Sequence, residues 1–291
     1  MKLEIKDLSK TYPNGVEALK DINLTIEHGM FGLLGPNGAG KSTLMRTIAT
    51  LQEADQGSAN LDDLNLLEEK HETRKILGYL PQEFGLYNNV TAEKMLDHIA
   101  ILKGITNKQE RKNIVESLLK QTNLYDDRKQ KLGTFSGGMK QRFGIAKALL
   151  GNPKLIIVDE PTAGLDPAER KRFLNLLSEI GENKVIILST HIVDDVKDLC
   201  SNMAIINKGQ LLYQGKPVEA IKKVEGKIWG KTMTKEEMTS LPSEVKVLST
   251  KMNEGNVDVK IWSDSSYDGF TKKEPELEDV YFSVINNHFT N

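Results

Sequence analysis

Apolar and polar positions follow two rhythms along this chain, and the rhythm switches several times. Ile22, Leu24 and Ile26 are separated by polar residues, the period-two pattern of a half-exposed strand. The runs 31–34, 155–158 and 185–188 are unbroken apolar stretches, which suit central strands covered on both faces. Helical stripes alternate with them: Leu44, Ile48 and Leu51; Met139, Phe143, Ala146 and Leu150; Phe173, Leu176, Leu177 and Ile180. Together they predict an α/β fold with a mainly parallel sheet and an antiparallel β part near the N-terminus.

Between about residues 83 and 135 no strand pattern stands out. Thr106 and Gln109 have the spacing of a capping box, so a helical subdomain is expected over about 83–150. Residues 204–206 and 211–213 flank the turn 207–210 as a hairpin. From about 225 the chain becomes rich in lysine and glutamate, and Thr234 with Glu237 offers a second capping box. Val245 and Val247, then Val257, Val259 and Ile261, alternate around a turn at 253–256, and Leu277, Val280, Tyr281 and Val284 mark a last helix. The expected division is a main domain over 1–222 and a small α+β extension over 223–291, with no internal repeat.

Composition narrows the function classes. With 291 residues and 38% hydrophobic content the chain can build one large core and an appendage, and it is too apolar for a disordered polymer. A net charge of −2, with Lys and Arg scattered, argues against a nucleic-acid partner. One cysteine, Cys200, excludes an internal disulfide framework and fits a reducing compartment. No stretch approaches the ~20 apolar residues of a membrane span, and the opening Met-Lys-Leu-Glu lacks the character of a signal peptide. A soluble chain without direct membrane insertion is expected; work at a membrane would need another polypeptide to hold it there.

The chemistry concentrates in two motifs. Gly35-Pro36-Asn37-Gly38-Ala39-Gly40-Lys41-Ser42-Thr43 fits the phosphate-loop pattern in full, between an apolar strand and a helical stripe. Glycines there let backbone N–H groups converge on phosphate oxygens, and the helix N-terminus adds its positive end. Lys41 would reach the β- and γ-phosphates, and the Ser42 hydroxyl would ligate Mg²⁺. The second motif is the run 155–158 ending in Asp159 and Glu160. Asp159 is placed to hold the Mg²⁺ shell. Glu160, one residue on, points to the other side of the pleat or into the following loop, where it can address an attacking water as general base.

Phe135-Ser136-Gly137-Gly138-Met139-Lys140-Gln141-Arg142, just upstream, resembles the signature of ATP-binding cassette (ABC) ATPases, the nucleotide-binding subunits of ABC transporters. Tyr12 matches the family's adenine-stacking aromatic residue, Gln82 its Q-loop, Gly164-Leu165-Asp166 its D-loop, and His191 in Ser189-Thr190-His191 its switch histidine. The resemblance covers about residues 1–220. Met139 stands where the commonest signature ends in glutamine, while Ser136 and Gly138, which the family uses on phosphate, are intact. Ser-Gly-Gly-Met-Lys is similar to cassettes of ABC-2-type exporters, and Leu277-Glu278-Asp279-Val280-Tyr281-Phe282 resembles an element near the C-terminus of such subunits.

The resemblance implies ATP held by Tyr12, residues 35–43, Ser136, Gly137, Gly138 and Asp166, with Mg²⁺ near Ser42, Gln82 and Asp159. Glu160, His191, Gln82 and Lys41 would carry hydrolysis. It also implies a head-to-tail pair of cassettes sandwiching two nucleotides, a separate transmembrane permease, and residence at the cytoplasmic face of the cell membrane. The alternative is a soluble ABC-type ATPase acting on nucleic acid or ribosomes. Against it stand the short interval between phosphate loop and signature, without sustained heptads, and the single phosphate loop. A regulatory subunit that does not hydrolyse is disfavoured by the presence of Lys41, Glu160 and His191.

Overall fold

Two kinds of strand build the molecule, as the two rhythms require. In chain order the first part comprises β1 (Lys2–Thr11), β2 (Glu17–Glu27), β3 (Gly29–Leu34), α1 (Lys41–Ile48), β4 (Gln56–Leu61), β5 (Leu64–Asn65), α2 (Lys70–Ile76) and β6 (Leu77–Leu80). Three longer helices follow, α3 (Ala92–Leu102), α4 (Lys108–Gln121) and α5 (Gly137–Leu149). The chain then returns through β7 (Leu155–Asp159), α6 (Pro167–Ile180), β8 (Val185–Thr190), α7 (Val193–Leu199), β9 (Asn202–Asn207) and β10 (Gln210–Gly215). The last part holds α8 (Pro217–Lys223), β11 (Ile228–Met233), α9 (Lys235–Thr239), β12 (Lys246–Asn253), β13 (Asn256–Trp262), β14 (Thr271–Lys272) and α10 (Leu277–Ile285). This computed structural model describes every residue except Glu83, Phe84, Leu86, Ala163, Thr290 and Asn291, and all side chains of the rest but that of Glu182. The expected start of the helical subdomain, about residue 83, lies outside the described residues.

The central sheet runs β10-β9-β3-β8-β7-β6, parallel throughout except for the β9–β10 hairpin. All of β7 and β8 is buried, which is why their sequences are apolar without alternation. An antiparallel sheet of order β2-β1-β4-β5 lies beside it, and the outer positions of β2 alternate with Leu19, Ile22, Leu24 and Ile26 in the core. On the other side α3, α4 and α5 pack together, burying Leu96, Leu119 and Phe143 in the same core as Leu80 and Ile156. Among the described residues no helix is long and apolar enough to cross a membrane.

Three local expectations are corrected. Helix α4 is capped by Asn107, not Thr106: the Asn107 carboxamide accepts from Gln109 N at 2.9 Å and Glu110 N at 3.0 Å, so the helix starts one residue later. Helix α1 ends at Ile48, and Leu51 lies beyond it, 61% exposed, instead of completing the stripe. In β12 a bulge between Val247 and Ser249 turns Leu248 inward and leaves Val247 exposed. The Thr234–Glu237 capping box forms as read.

The C-terminal segment is not a loosely attached unit. Its sheet, of order β12-β13-β11-β14, buries Met233, Val257, Val259, Ile261 and Phe270 on one face. Leu248, Trp262, Leu277, Val280 and Val284 join the large core that also contains Tyr213 of β10 and Val196 of α7. Asp279, fully buried in α10, accepts from Glu276 N at 2.8 Å and pairs with Lys260 at 3.0 Å, so its charge is compensated although one oxygen has no hydrogen-bond partner.

Candidate active site

Strand order places the functional loops. Strand β8 lies between β3 and β7, with Leu34 beside Thr190 and Asp159 beside Ser189. Gly35, Glu160 and His191 are therefore the first residues beyond three adjacent strand ends. This is the carboxyl edge of the sheet, where open α/β folds bind ligands.

The loop from β3 to α1 wraps its own ammonium group. Lys41 is 5% exposed, and its Nζ donates to Gly35 O at 2.6 Å and Pro36 O at 3.2 Å. Burial lowers the Lys41 pKa from its ordinary value, while Glu160 and Asp159 act in the opposite direction. Gly40 precedes α1 at φ +108°, and a Cβ there would sit 2.4 Å from Ala18 O of β2. The β9–β10 turn clamps the loop from the far side, through Gly209 N to Ala39 O at 2.9 Å and Lys20 N to Gly209 O at 2.8 Å. Gly40→Ala is accordingly expected to cost about 1–3 kcal/mol of folding stability, from left-handed strain and the backbone clash. Urea unfolding of the purified variant checks this, and an unchanged midpoint would show that the loop relaxes freely.

Opposite the loop stands a chain of charges. Glu160 Oε1 lies 3.8 Å from Lys41 Nζ, and Glu160 Oε2 lies 3.1 Å from His191 Nδ1. The two possibilities left open for Glu160 resolve in favour of the loop: its backbone adopts φ +45°, tethered by Glu160 N to Ser189 O at 3.0 Å. A non-glycine residue in that region is strained, and such strain gathers at functional sites. Asp159, 3% exposed, has one carboxylate oxygen without a hydrogen-bond partner. Burial raises its pKa above the usual carboxylate range, against the opposing effect of the nearby Ser42 and Ser189 hydroxyls.

A cleft of about 670 Å³ opens between the loop and Glu160, while Gly35, Pro36, Asp159 and His191 stay outside its walls. Tyr12, Asn37, Gly38, Ala39, Gly40, Lys41, Ser42, Thr43, Gln82 and Glu160 line it. The Tyr12 hydroxyl is 3.2 Å from Thr43 Oγ1 and from Gln52 Oε1, which fixes the ring over the start of α1. Ser136, Gly137, Gly138 and Asp166 do not line the cleft. They form a second cluster: Ser136 caps α5 by accepting from Met139 N at 3.2 Å, and Asp166 caps α6 by accepting from Glu169 N at 2.9 Å. Arg142 pairs with Glu169 between the two helices, and a Cβ on Gly138 would meet Glu169 Oε2 at 2.4 Å. A larger residue at 138 would have to displace the Glu169 side chain from its pairing with Arg142.

Sequence reasoning missed Val16, Glu17, Ala18, Lys20 and Lys208 as lining residues. The hairpin was readable around Lys208, but nothing local shows that its turn lands on the phosphate loop.

A strand-end phosphate loop, a paired carboxylate strand and a separate signature cluster define the class: an ATP-binding cassette. Residues 19–163 match the ABC transporter family. The uncharacterized ABC transporter ATP-binding protein YxlF of Bacillus subtilis is 32% identical over 302 residues, covering 97% of this chain and 99% of its own. The chain belongs to the ABC transporter ATP-binding family. It is also 37% identical over 219 residues to the probable multidrug ABC transporter ATP-binding protein YbhF of Escherichia coli, and there it spans 37% of the relative's length. A solved dimeric cassette in a post-hydrolysis state, bound to ADP and phosphate, superposes with a TM-score of 0.67 at 28% identity. The match covers 74% of this chain and 98% of that one.

Proposed function

We propose that this chain is the ATP-hydrolysing subunit of an ABC transporter of the exporter type, working as one half of a cassette pair beneath a separate transmembrane permease. One observation carries the reading: the two clusters that the signature chemistry needs sit apart on one chain, with the Ser136–Asp166 cluster absent from the walls of the Lys41 cleft. A second cassette, facing head to tail, supplies the missing half. The dimeric ADP- and phosphate-bound cassette and the multidrug name of the Escherichia coli relative support the dimer and the export direction. Peripheral residence at the cytoplasmic membrane face follows from the permease. The proposed division is a cassette over 1–222, including a helical subdomain over about 83–150, and an extension over 223–291.

Each residue then has a task. Tyr12 stacks on the adenine, and the backbone of residues 35–43 cradles the phosphates with Lys41 at their centre. Ser136, Gly137 and Gly138 cover the γ-phosphate from across the seam, beside Asp166. Asp159, with one unpartnered buried oxygen, and the nearby Ser42 hydroxyl offer the hard oxygen donors that suit Mg²⁺, and Gln82 lines the Lys41 cleft with Ser42. Mg²⁺ held there would offset charge developing on the phosphates. Glu160 orients and deprotonates the attacking water, and His191, held by Glu160, steadies the γ-phosphate. ATP binds the closed pair better than the open one, and that difference drives closure.

The test is phosphate release by the purified chain with ATP and Mg²⁺. Lys41→Ala is expected to weaken ATP binding roughly 10- to 100-fold, the worth of charge-assisted hydrogen bonds to phosphate, and to abolish release at sub-saturating ATP. Unchanged ATP affinity in that variant would remove Lys41 from the phosphates; no release by the native chain would overturn the enzymatic reading.

A further inference from the structure

His191 is more than half exposed, and among the described residues its side-chain hydrogen bond is to Glu160. Its placement therefore depends on what holds the short helix that follows it. Helix α7 begins two residues later and packs on β3, where Val196 lies over Gly32 and leaves no room for a Cβ. Four residues beyond His191 stands Asp195, a carboxylate only 2% exposed that the scheme above leaves without a task. Arg170 of α6 grips one of its oxygens with two nitrogens, Nε at 2.9 Å and Nη2 at 2.7 Å. Thr162 donates its hydroxyl to the other oxygen at 3.1 Å.

These partners come from three different segments. Thr162 lies two residues after Glu160, in the loop leaving β7. Arg170 lies one turn into the helix that Asp166 caps, and its backbone N–H donates to Asp166 O at 2.9 Å. Asp195 itself belongs to the helix anchored behind His191. One buried carboxylate thus joins the loop of the proposed base, the helix of the cross-seam aspartate and the helix of the switch histidine. A buried charge survives only where its oxygens are satisfied, so the three segments cannot shift independently without breaking that satisfaction.

We infer that Asp195, clamped by Arg170 and Thr162, is a positioning residue for ATP hydrolysis: it sets His191 against Glu160 and links that setting to Asp166 at the cassette seam. The inference rests on the hydrolytic reading above. Asp195 does not line the cleft, so its effect passes through the groups it aligns, and misplacement of a reacting group by about 1 Å can cost on the order of a hundredfold in rate. Its action falls on turnover and spares the phosphate loop, which is built on β3, β2 and the β9–β10 turn.

Asp195→Asn, nearly isosteric, and Arg170→Gln, at a side chain 31% exposed and so tolerant of change, are to be compared with the native chain in phosphate release and ATP binding. Each is expected to lower kcat roughly 10- to 100-fold with the KM for ATP within about twofold, and the double variant is expected to fall no further than the worse single one, because the pair acts as one clamp. Three results would overturn the inference: kcat within twofold of native, a rise in KM matching the loss in kcat, or losses that multiply in the double variant. If the native chain itself releases no phosphate, the hydrolytic reading fails and takes this one with it. An active native chain with an equally active Asp195→Asn sinks this inference alone.

Discussion

Glu160→Gln should bind ATP as tightly as the native chain and release phosphate roughly 10²–10⁴-fold more slowly, the range for loss of a general base. The variant removes the negative charge 3.8 Å from Lys41 together with the proton acceptor, and leaves the geometry of the site in place. The strained backbone at residue 160 is tethered through its own N–H to Ser189 O, a bond that the substitution leaves alone. Glutamine matches glutamate in length, so the 3.1 Å contact to His191 Nδ1 can persist through either amide atom. What disappears is the charge and, with it, the capacity to take a proton. Retained binding should also accumulate the ATP-bound pair, since closure depends on the γ-phosphate and reopening on its removal. The checks are equilibrium binding of ATP and steady-state phosphate release measured on one preparation. Turnover near that of the native chain would place the base elsewhere in the site.

Legibility in the sequence followed the range of the interaction. The phosphate loop, the Asp159–Glu160 strand end and the β9–β10 hairpin were readable because each is a chemical statement made within about ten residues. Strands β7 and β8 were readable because burial on both faces writes a continuous apolar run. Strand β1 was not singled out, and its geometry shows why. Leu3 and Ile5 keep the period of two, but an irregularity between Ile5 and Leu8 shifts the inward face from odd to even positions, with Asp7 at φ +50°. The same physics displaced Leu248 and Val247 in β12. Thr106 and Asn107 compete for one cap, and the carboxamide of Asn107 reaches two amides at once. The Arg170–Asp195 clamp left no local trace, since it joins two helices 25 residues apart across a strand. The resemblance named Ser136 and Asp166, but only the fold separates them from the cleft that Lys41 occupies.

That separation sets the largest effect expected of any single change: Ser136→Arg should abolish ATP-dependent dimers while leaving the monomer folded and able to bind ATP. Ser136 sits exposed at the start of α5, and among the described residues its hydroxyl makes one hydrogen bond, accepting from Met139 N. Losing that cap costs about 1 kcal/mol, too little to unfold a domain of this size. In the proposed site the monomer holds nucleotide through Lys41 and the phosphate loop, in a cleft that Ser136 does not line. Across the seam the situation reverses. A small residue at a helix N-terminus lets backbone N–H groups close on a phosphate, and a long guanidinium side chain occupies the space that the γ-phosphate of the facing cassette must enter. The measurement is light scattering with ATP in a Glu160→Gln background, where closed pairs persist. ATP-dependent dimers that survive Ser136→Arg would mean that the seam lies elsewhere. Each cleft would then have to complete its chemistry within one chain, from the lining residues already at hand.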